Sequence, residues 1–486
     1  MPTLNHDTFI SVMKLVTPTN SHFVSFAREV DKDRKRCHSS SLITLRHASQ
    51  VCRSWRESIL STSALWGDTI PLDHLNQVSH YWREEVLKRT GTSPLSIIGR
   101  ELGGSSPAVK FFLRLQTNHW ERMRRVSNSI SKDIFEDTRW SKPRNHSSVL
   151  EILNVHSLCD VDDVDDLVED RLGEVAPNFV PKLHALVLCY AALRLSNCRT
   201  PNLRHLAIWC STLFTSFVDF MKQVPHLEAL TLNFVDLRET EDPSEDHQPV
   251  QMSKLTSLGI HHVSHKHAFF ILRHILPAPG AAVDVFTSFN GSKQQLLRSQ
   301  LTSCLSTHLT EILSIEICTS VLIIASSSTV SPFSIKIHFY EPTMLETLLS
   351  SLADCLAEIS LIDLEALQIS FKNEIYYRAA KQHIRKIFLS LAFFQTLHID
   401  WNGLPCFSHL VATDKGMFPR MHTVVLSARN SAVPAWMIMD FMVKIRSARC
   451  PLSRICLKDS AVYDWLVAVN ERFEDDKAFR IVLLDR

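Results

Sequence analysis

The sequence predicts an α/β fold in two parts, a small all-helical N-terminal module followed by an α/β solenoid curved into a horseshoe. Three observations predict it. Apolar residues near the N-terminus recur at helical steps of three and four. Farther along, short strands of the form Leu-x-x-Leu-x-Leu return nine times. Helical patterns fill several of the gaps, so strand and helix alternate roughly every 20 to 30 residues.

The module comes first. Over residues 1–16, Leu4, Phe9, Val12, Met13 and Val16 share a helical face. Pro18, Asn20 and the charged run EVDKDRKR break that pattern and make 17–41 an exposed loop. The stretch 42–66 then reads as one amphipathic helix, with Leu45, Ala48, Cys52, Trp55 and Ile59 on a single stripe and Arg46, Gln50, Arg53, Ser54 and Glu57 opposite. The serines at 39–41 offer an N-cap oxygen, and Ser61 or Thr62 ends the helix and caps a short one carrying Leu65 and Trp66. A module of residues 1–70 is marginal in stability unless docked on something.

Residues 71–145 read as connecting helices and first degenerate repeats, with helices over 79–90 and from Pro107 to about Asn118 and a strand at 94–98 between them. The repeats proper occupy 146–486. Their strand cores are Leu150/Leu153/Val155, Leu183/Leu186/Leu188, Leu203/Leu206/Ile208, Leu227/Leu230/Leu232 and Leu255/Leu258/Ile260. After a fade between 285 and 360 they resume as Leu364/Leu367/Ile369, Phe394/Leu397/Ile399, Met421/Val424/Leu426 and Leu452/Ile455/Leu457. Helices are expected over 212–224, 267–276, 344–356 and 435–447. This is the leucine-rich-repeat plan: the last two apolar residues alternate inward along a strand, and the first fills the turn leading into it. A doubly wound α/β domain also alternates strand and helix. Nine matching cores, and no Gly-rich phosphate turn after any strand, favour the solenoid. Interleaved residues such as Ala207, Thr231 and His398 would line its concave face.

Composition narrows the function. Hydrophobic content of 45% with 21% charged residues describes a folded chain with ample core. A net charge of +1 argues against a wholesale pull toward nucleic acid or anionic membrane. The most apolar run, 312–325, falls short of the ~18 residues of a span and contains Glu316. Twelve scattered cysteines without a CxxC pair fit reduced thiols, hence a cytoplasmic or nuclear protein.

Several local motifs carry little chemistry. Gly99 and Gly104 have P-loop spacing, but Ser105 stands where the phosphate-binding lysine belongs, leaving a flexible turn. His261, His262, His265 and His267 straddle a strand-to-helix turn, so they cannot converge on a metal. The acidic run 160–170 lacks the central glycine of a calcium loop. Arg122, Arg124 and Arg125 bunch in a basic stretch that suits a charged strand edge or helix face better than RNA. No G-x-S-x-G elbow exists, so nothing suggests an enzyme, a cofactor or a metal.

Two strings in the opening stretch are more specific. SQVCRSWR (49–56) followed by STSALW (61–66) resembles the second half of an F-box from large fungal families of F-box-like proteins, in which V-C-x-x-W-R precedes S-T-P-x-L-W. Ser63 stands at the family's proline. LNHDTFISVM (4–13) loosely echoes the first half, with Asn5 where a proline is usual, and RTGTSPLS (89–96) resembles the R-S-G-x-x-P-L-S segment that often follows. The resemblance implies a non-catalytic substrate receptor of an Skp–cullin–F-box (SCF) ubiquitin ligase. The module would bind an Skp-type adaptor, and through it a cullin, while the repeats hold an unknown target protein. Carried over by position, the adaptor-binding or module-core residues are Leu4, Phe9, Val12, Met13, Val51, Cys52, Trp55, Leu65 and Trp66. The alternative is a leucine-rich-repeat interaction scaffold with no ubiquitin role, its first helices merely capping the repeats.

Overall fold

The computed structural model of the chain describes residues 6–16, 41–157 except 69, 103–105 and 131–148, then 180–189 and 200–209. It further describes 212–289 except 234–236 and 239–247, 297–306 except 300 and 303–304, and 312–359 except 319 and 327–331. The remainder is 364–457 except 372–373, 392, 401–402, 414–417, 428–434 and 448–450, together with 480–483. The fold is mixed α/β, and the chain divides into two compact units, Met1–Leu255 and Thr256–Arg486.

The first unit begins with helices α1 (His6–Val16), α2 (Ser41–Ala48), α3 (Arg53–Ser61) and α4 (Ser63–Gly67). The part read as one helix up to Ser61 is therefore two, α2 and α3, and the short helix expected after Thr62 is α4. Its break lies at 49–52, where the amides of Ser49, Gln50 and Val51 close turns on Leu45, His47 and Ala48. Cys52 then adopts an extended backbone (φ −156°, ψ 168°) and its Sγ accepts the Trp55 N–H, capping α3. Apolar periodicity runs through this break because both helices face the same core: Leu45 and Ile59 are fully buried. Thr62 does separate α3 from α4, but its hydroxyl donates to Ser58 O at 2.7 Å rather than capping α4.

The chain then enters a sheet through β1 (Ile70–Pro71) and, after α5 (Tyr81–Arg89), β2 (Leu95–Leu102). Helix α6 (Pro107–His119) starts where proline predicts, its amides capped by Ser106 Oγ. Strands β3 (Met123–Ile130), β4 (Ile152–Ser157), β5 (Ala185–Cys189), β6 (His205–Trp209) and β8 (Ala229–Asn233) follow, and β1 to β6 and β8 all pair in parallel, in chain order. The short β7 (Thr212–Leu213) pairs with β9 (Leu237–Arg238), and β10 (Val250–Met252) closes the unit. Each leucine pattern begins two residues before its strand: Leu150, Leu183, Leu203 and Leu227 are at most 1% exposed and fill the entry turn. The residue after that leucine stacks on its counterpart in the preceding strand's turn. His184 N–H donates to Glu151 O, Arg204 N–H to His184 O and Glu228 N–H to Arg204 O, at 2.7–3.0 Å. Helix Phe214–Gln223 occupies the gap that its pattern predicts.

The second unit holds β11 (Ser257–Ser264), helix His265–His274, β12 (Ile275–Pro277) and β13 (Ala282–Ser288). Its later strands β17 (Ala366–Phe371), β18 (Thr396–Asp400), β19 (Thr423–Ser427), β20 (Arg454–Leu457) and β21 (Arg480–Leu483) are parallel and in order. Helices Pro342–Glu358, Glu374–Ser390, Leu404–Thr413 and Ala435–Ser447 lie between or before them. The same turn ladder recurs: His422 N–H donates to Gln395 O and Ser453 N–H to His422 O.

The stretch where the leucine pattern fades is not a gap. It forms β14 (Ile312–Ile317), β15 (Val321–Ser326) and β16 (Phe333–His338), a meander in which β15 runs antiparallel to both neighbours. Strand β16 pairs in parallel with β13 and β14 with β17, so the sheet order is β11-β13-β16-β15-β14-β17. The apolar run 312–325 is thus mostly a hairpin, with Leu313, Ile315 and Ile317 buried and Ser314 and Glu316 between them. No helix among the described residues is long and apolar enough to cross a membrane.

Candidate partner-docking site

The nine residues singled out in the module fall into three groups. Phe9 and Met13 on α1 are 4% exposed and Leu65 and Trp66 on α4 are 2% or less, so all four are closed inside the module. Trp55 is half-buried, its ring 4.9 Å from that of Phe9, which ties α1 to α3. Val12 (43% exposed), Val51 (64%) and Cys52 face solvent. The face shared in the sequence by Phe9, Val12 and Met13 is thus split, because Phe9 and Met13 stand one turn apart and Val12 sits at the stripe's edge. Leu4 lies outside the described residues.

Trp66 anchors the far side of the module. Its indole N–H donates to Ile59 O at 2.8 Å, and its ring meets Trp82 edge-on at 6.4 Å. The Arg89 guanidinium lies 4.5 Å over Trp66 and 5.7 Å from Trp82. The two strings that resemble F-box-family segments therefore meet in space. Gly67 passes so close to Pro94 that an added Cβ would lie 2.5 Å from its carbonyl oxygen, and Ser63, at the family's proline, shares a 2.7 Å hydrogen bond with Ser93. Beside this contact opens a cleft of about 640 Å³ walled by Trp66, Trp82, Leu60 and three arginines.

Further exposed apolar side chains lie on the module and on the segment that follows it. Besides Val12 and Val51 they include Ile43 (43%), Leu60 (38%), Val78 (95%) and Tyr81 (75%), the last stacked on His80 at 4.5 Å. Sequence periodicity misses these four because each lies off the apolar stripe or in a loop. The signal for Val78 and Tyr81 is the apolar residue in a polar stretch, Asn76-Gln-Val-Ser-His-Tyr81, with no period to bury it.

The other motifs have structural partners. Arg122 donates to Ser93 O at 2.8 Å and to Thr90 Oγ1 at 2.8 Å. Arg124 pairs with Asp68 at 2.7 Å, and Arg125 lies 3.8 Å from Glu151. The basic cluster thus stitches neighbouring segments. Gly99 is not in a turn but within β2, where an added Cβ would lie 3.0 Å from Asn128 Oδ1. His261 and His262 lie on β11, His265 is buried with Nδ1 3.2 Å from Ser288 O, and the His267 amide is capped by Ser264 Oγ. Among the described residues no three His, Cys, Asp or Glu side chains converge as a metal site would require. The acidic run 160–170 lies outside the described residues. Cys52, Cys318, Cys355 and Cys456 are free thiols, and burial pushes those of Cys355 and Cys456 up. No known protein family matches the chain, and no curated protein matches it.

Proposed function

We propose that this protein is a non-catalytic substrate-recognition adaptor of an Skp–cullin–F-box ubiquitin ligase. The N-terminal module docks on an Skp-type adaptor, and the strand–helix repeats, read as a leucine-rich solenoid, hold a target protein. The supporting observation is the placement of Val12, Val51 and Cys52. These residues, assigned to adaptor binding by resemblance, are left facing solvent on a module that packs Phe9, Met13, Leu65 and Trp66. Exposed valines on a module that also leaves Trp55 half-buried are the type of side chain that a partner helix covers. The receptor performs no chemistry; holding target and ligase together raises their effective concentration.

The test is co-purification of the full chain with an Skp-type adaptor. Val12→Asp with Val51→Asp is expected to abolish the complex while leaving the melting temperature unchanged, since both side chains are exposed. Wild-type protein that fails to retain the adaptor would refute the ligase assignment.

A second reading, an interaction scaffold with no ubiquitin role, draws on the burial of Phe9, Met13, Leu65 and Trp66. In that account the module is a self-contained cap, and the V12D/V51D variant would bind the same set of proteins as the wild type.

A further inference from the structure

The cleft beside Trp66 and Trp82 carries a charge imbalance. Arg46, Arg56 and Arg89 line it together with the two tryptophans and Leu60; its other lining residues are serines and glutamines, and no carboxylate is among them. Described acids near it in sequence pair elsewhere: Glu57 with Arg53 at 2.8 Å, Asp68 with Arg124 at 2.7 Å and Glu84 with Arg114 at 2.6 Å. Of the three arginines, Arg89 alone has an acidic partner among the described residues, Glu85 at 2.9 Å. Arg56 Nε donates to Ser49 O at 3.0 Å, which steadies the guanidinium without neutralising it. Arg46 has no ion pair among the described residues.

Two uncompensated guanidinium groups in one cleft are forked donors suited to planar oxyanions. The partly exposed Trp82 and Leu60 beside them offer apolar cover for aliphatic side chains. Arg46, Gln50, Arg56, Leu60, Gln77 and Ser79 are all exposed, so one side of the cleft is open. A volume of about 640 Å³ open along one side suits an extended chain better than an enclosed small molecule.

We propose that this cleft binds an acidic peptide segment, its carboxylates pairing with Arg46 and Arg56 and its apolar side chains covering Trp82 and Leu60. This goes beyond adaptor docking, because Val12, Val51 and Cys52 are not among the residues that line the cleft and the proposal holds whichever protein supplies the segment.

Fluorescence anisotropy on the full chain tests it with a fluorescein-labelled peptide of alternating glutamate and leucine. The wild type is expected to bind saturably, and binding should weaken as salt screens the exposed pairs. R46Q/R56Q should bind about five- to tenfold more weakly, the scale of two exposed charge pairs lost together. R53Q removes the same charge type from a site outside the cleft lining and should bind like the wild type. Circular dichroism of each variant confirms that the exposed substitutions leave the fold intact. No binding by the wild type, an equal loss in R53Q, or equal binding of the glutamine–leucine counterpart would overturn the proposal. Tighter binding of an oligothymidylate through the same two arginines would also overturn it, in favour of a general polyanion surface.

Discussion

The N-terminal module and the strand–helix repeats spend the same residue types in opposite ways. In the repeats, leucines and isoleucines of the recurring pattern are sealed: Leu206, Ile208, Leu230 and Leu232 are at most 2% exposed. In the module and the segment just after it, Val51 is 64% exposed and Val78 is 95% exposed. The difference follows from how each region closes. A strand such as β6 pairs along both edges, with β5 and β8, and its inward residues Leu206 and Ile208 are sealed. Helices of eight to eleven residues such as α1, α2 and α3 cannot surround one another, and some apolar side chains are left exposed.

The most direct way to break that comparison is to remove one side chain from each region. Leu230→Ala opens a cavity at a fully buried site on β8 and is expected to cost about 2–5 kcal/mol of stability. Val78→Ala deletes a solvated side chain and should cost less than about 0.5 kcal/mol. Urea unfolding of both variants decides: similar costs would mean that Val78 is covered in solution, by self-association or by another part of the chain.

The same contrast explains which parts of the architecture were legible in the sequence. The nine Leu-x-x-Leu-x-Leu cores all fall on strands, because one short motif fixes both the entry turn and the inward face. Ala435–Ser447 matches its predicted span, and the other expected helices shift by two residues or so. The meander β14–β16 was illegible to that pattern because it lacks the entry-turn leucine, although Phe333-Ser-Ile-Lys-Ile337 alternates with the period of two that a strand requires. The break at 49–52 was hidden for the opposite reason: apolar spacing continues through a turn when the helices on both sides share one core. At the candidate site, the sequence marked a segment but not which of its side chains are exposed. That division depends on contacts such as Phe9 against Trp55, made by residues far apart in the chain.

The comparison sharpens at Trp66, where the module does bury a large side chain. Trp66→Phe keeps most of the ring but removes the indole N–H that donates to Ile59 O inside the module. Loss of one buried hydrogen bond is expected to cost about 1–2 kcal/mol, less than the cavity at Leu230. A melt of the variant that matches the wild type would place the Trp66 indole in contact with water, and the module would then be looser than its packing implies.

The smallest expected effect separates the regions by proton binding. His205, at the first position of β6, is partly buried, and burial holds its imidazole below the ordinary value of 6.5; Glu228 opposes this, while His184 and Arg204 reinforce it. With the folded-state pKa lowered, the unfolded chain takes up the proton more readily. Stability is therefore full above about 6.5 and falls as pH drops toward the folded-state value, below which the loss is complete. His205→Asn removes that titration, so the wild type should lose more stability than the variant between about pH 7.5 and about pH 5.5. Parallel losses in the two proteins would show that the His205 ring is as solvated in the folded repeats as in the unfolded chain, and that the sealing of the repeat strands stops short of their interleaved residues.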